Sequence, residues 1–401
     1  MKVKVKLYGQ DIGLLQDNNG IYFEYDKKFL VTGYSLSPFK LPLQKGIFTN
    51  SDDKFFMGLM GVFFDSLPDK FGNKIIEAYY KEKGIDISQM SILQKLVYIG
   101  DRSIGALEYE PIESDIKTNE AVALRELVDG ARDVLKGNVV LPEIMEASAS
   151  VGGARTKALI AIHNDTKQMI TGDTLEENWT NYIIKFDTIE ESFSKEYTKI
   201  EYIYMKIAKK IGIDVSDVEF LDDRDYLHLL VKRFDRVDGE KIHLHSLCGL
   251  THIDFNQPQI FSYEEYLKTI LYLTKDYAQL EEGFKRMIFN IVSKNQDDHL
   301  KNFSFLMDKN GFWSLSPAYD LTYAYGSGYT KYHQMTINAK YNNITKKDIL
   351  KIANEFDIKN ARKIIENIVT IFDEEFDKLA TTLKLSEDKK KKILSNMNRL
   401  G

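Results

Sequence analysis

Apolar and lysine side chains alternate through VKVKLYG at residues 3–9. A period of two predicts a half-buried strand. DNNG at 17–20 is a turn signal, and IYFEYD after it reads as a second strand. An aromatic-rich stretch, FFMGLMGVFFDSLPD, follows, and Pro68 and Asp69 punctuate the start of a helix over FGNKIIEAYYKEKG that Gly84 stops. IGALEYEP then predicts a strand ended by Pro111, with a boundary near residue 112. NEAVALRELVDGARDVLKG, within 113–140, has a helical pattern, and KALIAIHND and NYIIKFD read as two strands.

A long amphipathic helix comes next. Ile200, Ile203, Tyr204, Ile207, Ala208 and Ile211 form one apolar stripe, and Gly212 is the stop. YLHLLVKRFDR is a strand with a buried run. From residue 262 the pattern is mostly helical. Ser262 and Glu265 make a capping box ahead of YEEYLKTILYLTK, FKRMIFNIVSKN is a second helix, and three more run from Lys346 to the end. The lysines at 389–392 follow Ser386, Glu387 and Asp388, as on the solvated face of a capped helix. The order predicts an α+β chain in three parts: a β-rich appendage at 1–112, a small lobe at 113–237 and a helical lobe at 238–401.

Composition narrows the function. With 401 residues, 43% of them hydrophobic, the chain can bury a sizeable core. Its 54 basic and 60 acidic side chains give a net charge of −6. Proteins that bind nucleic acid alone usually carry a basic excess, so any DNA contact is expected through a partner. Cys248 is the single cysteine, so no internal disulfide forms, which suits a reducing compartment. MKVKVKLYGQ is no signal peptide, and no run is apolar enough to span a bilayer. A cytoplasmic protein without membrane attachment is expected.

The most specific chemical motif is NQDDHLKNFSFL, residues 295–306. Asp297 and Asn302 are five apart, the spacing at which a kinase catalytic loop places a base for the acceptor hydroxyl and an amide for a metal. Asp298 fits that spacing less well, and the plain alternative is a polar turn. Asp320, in SLSPAYDLTYAY, is a second metal-ligand candidate against a turn aspartate after Pro317. SASVGGARTKALI places two glycines ahead of a strand, where backbone N–H groups could cradle phosphate, although neither standard glycine motif is matched. Arg155 and Lys157 beside them could neutralise it, or be ordinary surface cations.

Lys185 lies inside an apolar strand, a costly place without a partner, and phosphate contact competes with snorkelling. Glu201 could pair with it, with Glu196 as competitor. The backbone at Lys232, Arg233 and Phe234 could hold an adenine edge or simply end a strand. His243, His245, Cys248 and His252 have metal-ligand chemistry, but at no known spacing, so packing is the expected role.

Taken together, LPLQ, FFDSLPD, IGALEYEP, SVGGARTKALI, IIKFD, EYIYMKIAKKIGI, RFDR, DDHLKNFSFL and YDLTYAY resemble the HipA family of bacterial toxin kinases. They run from about residue 40 to 325 and include the N-terminal segment that several kinase-only relatives lack. The resemblance implies a two-lobed protein-kinase-like fold with an added N-terminal subdomain. It also implies a serine/threonine protein kinase using ATP and Mg2+. Asp297 would be the base and Asn302 and Asp320 the magnesium ligands. Lys185, with Lys157 and Lys301, would contact phosphates, which Val151, Gly152, Gly153 and Ala154 would cover. Lys232, Arg233 and Phe234 would lie at the adenine hinge. Ser150, with Ser148 as second candidate, would be the autophosphorylated serine that shuts the enzyme off.

Aminoacyl-tRNA synthetases are the family's known substrates. Its usual partner is a small HipB-like DNA-binding antitoxin, so DNA would be bound only indirectly. Many members carry E-D-F-x-Q after the hinge; here that place reads HSLCGLTHIDF, a departure that bears on the protein substrate. The rival readings are an antitoxin-binding pseudokinase without phosphotransfer, or a small-molecule kinase.

Overall fold

In this computed structural model, the described residues are 1–68, 70–86, 90–112, 121–136, 156–187, 196–223 and 226–401. The chain divides into two compact units. The first comprises Met1–Lys195, Glu219–His252 and Leu306–Phe312, and the second Glu196–Val218, Ile253–Phe305 and Trp313–Gly401. Both strands and helices are present, as an α+β chain requires.

The first unit opens with a five-stranded antiparallel sheet in the order β4-β3-β2-β1-β5. The strands are β1 (Lys2–Leu7), β2 (Gln10–Asp17), β3 (Ile21–Tyr25), β4 (Ile47–Thr49) and β5 (Leu107–Glu110). The alternation in β1 is realised: Val3, Val5 and Leu7 are buried, while Lys6 reaches Glu110 at 2.6 Å and Lys4 reaches Asp11 at 3.4 Å. The sequence reading passed over β2. Tyr8 and Gly9, both at positive φ, make the tight turn that folds β2 back onto β1. Beneath the sheet, Phe23 and Phe63 pack with ring centroids 4.8 Å apart. Phe63 lies on α1 (Gly61–Phe64), which abuts the short helix Leu247–Thr251 through two glycines. A Cβ on Gly61 would come within 2.0 Å of the Gly249 carbonyl oxygen.

A second five-stranded sheet has the order β7-β6-β8-β10-β9. It consists of β6 (Lys157–His163), β7 (Met169–Thr171), β8 (Trp179–Lys185), β9 (Val218–Asp223) and β10 (Tyr226–Lys232). Three of these match the strands expected from sequence; β7 and β9 add to them. Ala158, Ile160, Ile184 and Leu230 are buried on one face in a single core with α2 (Lys70–Glu82), α3 (Ile92–Ile99) and α4 (Leu124–Lys136). Their neighbours Lys157, Lys185 and Leu229 lie in register across β6, β8 and β10, on the opposite face.

The second unit is mainly helical. Its helices are α5 (Tyr197–Ile211), α6 (Tyr263–Thr274), α7 (Tyr277–Ser293), α8 (Lys346–Glu355), α9 (Ala361–Thr382) and α10 (Glu387–Asn396). The apolar stripe of α5 is buried, and Gly212 ends the helix at φ 85°. Ser262 and Glu265 form the expected capping box on α6. Tyr204 of α5 meets Phe372 of α9 edge-on at 5.3 Å, and Phe289 of α7 at 6.0 Å. Its hydroxyl donates to the Ser293 carbonyl at 2.7 Å. Ser386 Oγ donates to Glu196 at 2.8 Å, so the acidic competitor of Glu201 serves the start of α10, while Glu201 is buried on α5.

Candidate active site

The DDHLKN segment is shaped from the end of α7. Lys294 closes that helix in a left-handed conformation, and the Asn295 side chain turns back to donate to Asn290 Oδ1 at 2.9 Å. Asn290 Nδ2 donates to Tyr263 Oη at 3.0 Å, and Tyr263 in turn donates to Asp298 Oδ2 at 2.8 Å. Asp298 also pairs with His333 Nδ1 at 2.8 Å and accepts from the Gln334 N–H at 2.7 Å. Asp298 is therefore a buried anchor. Burial pushes the Tyr263 hydroxyl well up, and the neighbouring Asp298 carboxylate adds to the effect.

Asp297 is different: its side chain keeps 40% of its exposure. That separates the two adjacent aspartates by environment. A general base must reach a substrate, so Asp297 has the suitable surroundings. Asn302 closes a single 3-10 turn, Leu300–Asn302, and its Nδ2 donates to the Asp297 carbonyl at 2.8 Å. That bond engages the amide nitrogen and leaves Oδ1, a hard oxygen, as the atom suited to a cation. Asp320 is brought toward the same turn through its neighbour: Tyr319 Oη donates to the Lys301 carbonyl at 2.8 Å and shares a 2.6 Å bond with Ser304 Oγ. Asp320 has φ 53°, uncommon for a residue with a side chain and worth asking about function.

His299 registers this convergence. Burial lowers its pKa, while Asp297 first and Asp320 second oppose that shift. Both carboxylates therefore act on one imidazole. Among the described residues, no group of three or more His, Cys, Asp or Glu side chains is arranged to hold a metal. Asn302 Oδ1 and an Asp320 carboxylate make a sparse oxygen set. It fits magnesium, which commonly takes one or two protein oxygens and completes its shell from water and phosphate.

In the first unit, Lys157 and Lys185 stand directly opposite each other across β6 and β8. Lys157 is buried and Lys185 half-buried. Ser148, Ser150, Val151, Gly152, Gly153 and Ala154 fall outside the described residues, as does Arg155. Lys232, which ends β10, is exposed. In the second unit, Lys301 lies with its amine 5.7 Å from the centre of the Phe255 ring.

The Arg233 side chain is buried. It forms a two-bond pair with Asp235 at 2.9 and 2.7 Å, and its own N–H donates to the Asn181 carbonyl at 2.9 Å. Arg236 pairs with Asp173 and donates to the Gly105 carbonyl at 2.6 Å, while the Gly105 N–H donates to Asp235 at 2.7 Å. RFDR and Asp173 thus form a buried knot of two arginines and two aspartates that ties β10 to the loop before β5. Asp235 is held well below the usual carboxylate range: burial alone would raise it, but Arg233 and then Arg236 outweigh that effect.

The histidine cluster is likewise hydrogen-bonded within the fold. His245 lies between Asp65 at 2.7 Å and Ser37 at 2.9 Å, His243 Nε2 donates to the Leu36 carbonyl at 3.1 Å, and His252 Nε2 accepts from the Gly61 N–H at 2.7 Å. Continued past Phe255, the chain reads IDFNQ, so Asp254, Phe255 and Gln257 match the family element and Ile253 alone departs from it. The ring of Phe255 packs against His299 at 4.9 Å.

Two family descriptions match the chain: a HipA N-terminal domain over residues 3–110 and a HipA-like C-terminal domain over residues 149–376. The chain belongs to the HipA family.

A Haemophilus influenzae protein provisionally named a kinase is 34% identical over 154 residues, 35% of this chain and 44% of that protein. The serine/threonine-protein kinase toxin HipA of Shewanella oneidensis is 28% identical over 148 residues, 30% of this chain and 33% of that one. The chain thus spans less than half the length of these curated relatives. A solved structure of Shewanella oneidensis HipA, from a complex with HipB and its operator DNA, has the same overall fold. Its TM-score is 0.70 at 17% identity, over 98% of this chain and 96% of that one. Among the described residues, no helix is long and apolar enough to cross a membrane.

Proposed function

We propose that this HipA-family chain is a toxin kinase that transfers the γ-phosphoryl group of ATP to a serine or threonine of a protein. The observation that carries this reading is the bond from Asn302 Nδ2 to the Asp297 carbonyl at 2.8 Å, which holds one amide and one partly exposed carboxylate at the ends of a six-residue stretch. Kinase-named relatives support the same activity.

Asp297 accepts the proton of the acceptor hydroxyl as its oxygen bonds to the γ-phosphorus. The bond from that phosphorus to the β–γ bridging oxygen breaks, and ADP departs with the electron pair. Lys157 and Lys185 neutralise the phosphates, with Lys301 contributing, and residues 151–154 cover them. Asn302 and Asp320 hold magnesium, which when bound offsets charge on the phosphoryl oxygens. The backbone at Lys232 and Phe234 serves the adenine. Phosphorylation of Ser150, or of Ser148, switches the enzyme off.

A small HipB-like DNA-binding protein is the proposed partner, and DNA is reached only through it. The net charge of −6 suits that arrangement, and the matched HipA structure was solved with HipB and DNA. An aminoacyl-tRNA synthetase is the first substrate to test, and the proposed location is the cytoplasm.

The test is mass spectrometry of the purified protein after incubation with ATP and magnesium, alongside Asp297→Asn. Phosphate on the 148–150 segment of the wild type and none on the variant supports the reading. An unmodified wild type that also leaves every protein in a cell lysate unlabelled contradicts it.

A further inference from the structure

The catalytic-loop histidine has no role in the mechanism above, yet its surroundings are specific. His299 Nε2 lies 3.6 Å from Asp297 Oδ1. Its ring is flanked by Phe255 at 4.9 Å and Tyr329 at 6.3 Å, and Tyr329 Oη donates to the Phe255 carbonyl at 2.7 Å. Tyr329 is therefore tied to the main chain of Phe255, and the imidazole lies beside both rings. The main chain adds a further restraint, since the Asn302 N–H donates to the His299 carbonyl at 2.9 Å.

His299 Nδ1 is buried with no hydrogen-bond partner. A buried N–H left unpaired costs more than a buried lone pair in the same place, so the neutral ring carries its proton on Nε2, toward Asp297. A separation of 3.6 Å is longer than a hydrogen bond, and such bonds commonly tighten only once substrate is present. Asp297, by contrast, is a partly exposed carboxylate. A base that can rotate away from the acceptor loses rate, because small misplacements at a reacting centre are expensive.

We propose that His299 is a positioning residue, whose clamped ring directs an Nε2–H at the Asp297 carboxylate and selects the rotamer that faces the acceptor hydroxyl. The role rests on the phosphotransfer reading above. It also gives Phe255 and Tyr329 a purpose, as the two sides of the clamp.

Two measurements test it. In steady-state kinetics, His299→Phe keeps a flat ring but no donor; kcat should fall on the order of 10–100-fold, with KM for ATP changed less than about threefold. His299→Gln can return a side-chain N–H near Nε2 and should recover about tenfold over His299→Phe. A phenylalanine variant with wild-type kcat, or a glutamine variant no better than phenylalanine, overturns the proposal. The second measurement is independent of activity: imidazole nitrogen NMR of the wild type should show His299 as the Nε2–H tautomer, and Asp297→Asn should move its Nε2 resonance. An Nδ1–H tautomer, or a resonance indifferent to Asp297→Asn, overturns it. If the wild type transfers no phosphate, the kinase reading fails while the NMR result still decides the pairing.

Discussion

Lys157 and Lys185 face each other directly across two strands, with Leu229 next in the same row. The phosphotransfer reading assigns both to the phosphates of ATP. Lys185→Met should therefore weaken ATP binding at least about tenfold, a loss of about 1.4 kcal/mol. Without nucleotide, the variant should still unfold in one cooperative transition, as a folded protein does. Calorimetric titration and thermal unfolding check this together; undiminished ATP affinity counts against the phosphate role.

The RFDR knot predicts a loss of stability at a distance from the transfer chemistry. Asp235→Ala leaves Arg233 and Arg236 buried with Asp173 as their one remaining carboxylate, at a cost of roughly 3–5 kcal/mol. The exposed Lys309–Glu240 pair, at 2.5 Å, gives the contrast: Glu240→Ala should cost under about 1 kcal/mol. Urea unfolding measures both, and equal costs would mean the knot is not structural.

The two adjacent aspartates of the loop should separate in their effects. Asp298→Ala removes the acceptor for Tyr263, His333 and the Gln334 N–H and should destabilise by roughly 3 kcal/mol. Asp297→Asn should leave the unfolding free energy within about 0.5 kcal/mol of wild type, as for an ordinary surface change. Reversed results would exchange their roles.

Stability should fall on acidification because of two histidines. Burial pushes His243 down to about 3, with His245 nearby as the next cause, and burial lowers His252 to about 4. In the unfolded chain both titrate near 6.5. Below that value the unfolded state binds protons that the folded state refuses. Stability is therefore retained above pH 6.5 and lost as pH falls toward 4, with His243 contributing about 1.4 kcal/mol per pH unit. The depressed Asp235 loses its contribution only below the ordinary carboxylate range, so it adds nothing to the loss in this window. Urea midpoints across the window check the slope, and a flat profile contradicts it.

What could be read from sequence followed from periodicity and caps. The strand β1, the stripe on α5 and the Ser262–Glu265 cap are local patterns that the fold preserves. The strand β2 was missed because Tyr8 does not look like a residue of a positive-φ turn, and because Gly13 and the exposed Leu14 break the alternation. The strand β7 has three residues, too few for a period, and the acidic end of β9 obscures its pattern. At the site, the spacing from Asp297 to Asn302 was legible because both lie on one short loop. The anchor role of Asp298 was not, since His333 and Gln334 are distant in sequence. The ion pairs of Arg233 and Arg236 with Asp173 were not legible either, since Asp173 is about 60 residues away in the chain.

The central claim is that Asp297 is the base of a phosphoryl transfer, and intact-mass measurement of the full chain with ATP and magnesium tests it most directly. Wild-type protein should gain the mass of a phosphoryl group, while Asp297→Asn, equally folded, gains none. An Asp297→Asn protein that becomes phosphorylated as fast as wild type would contradict the account.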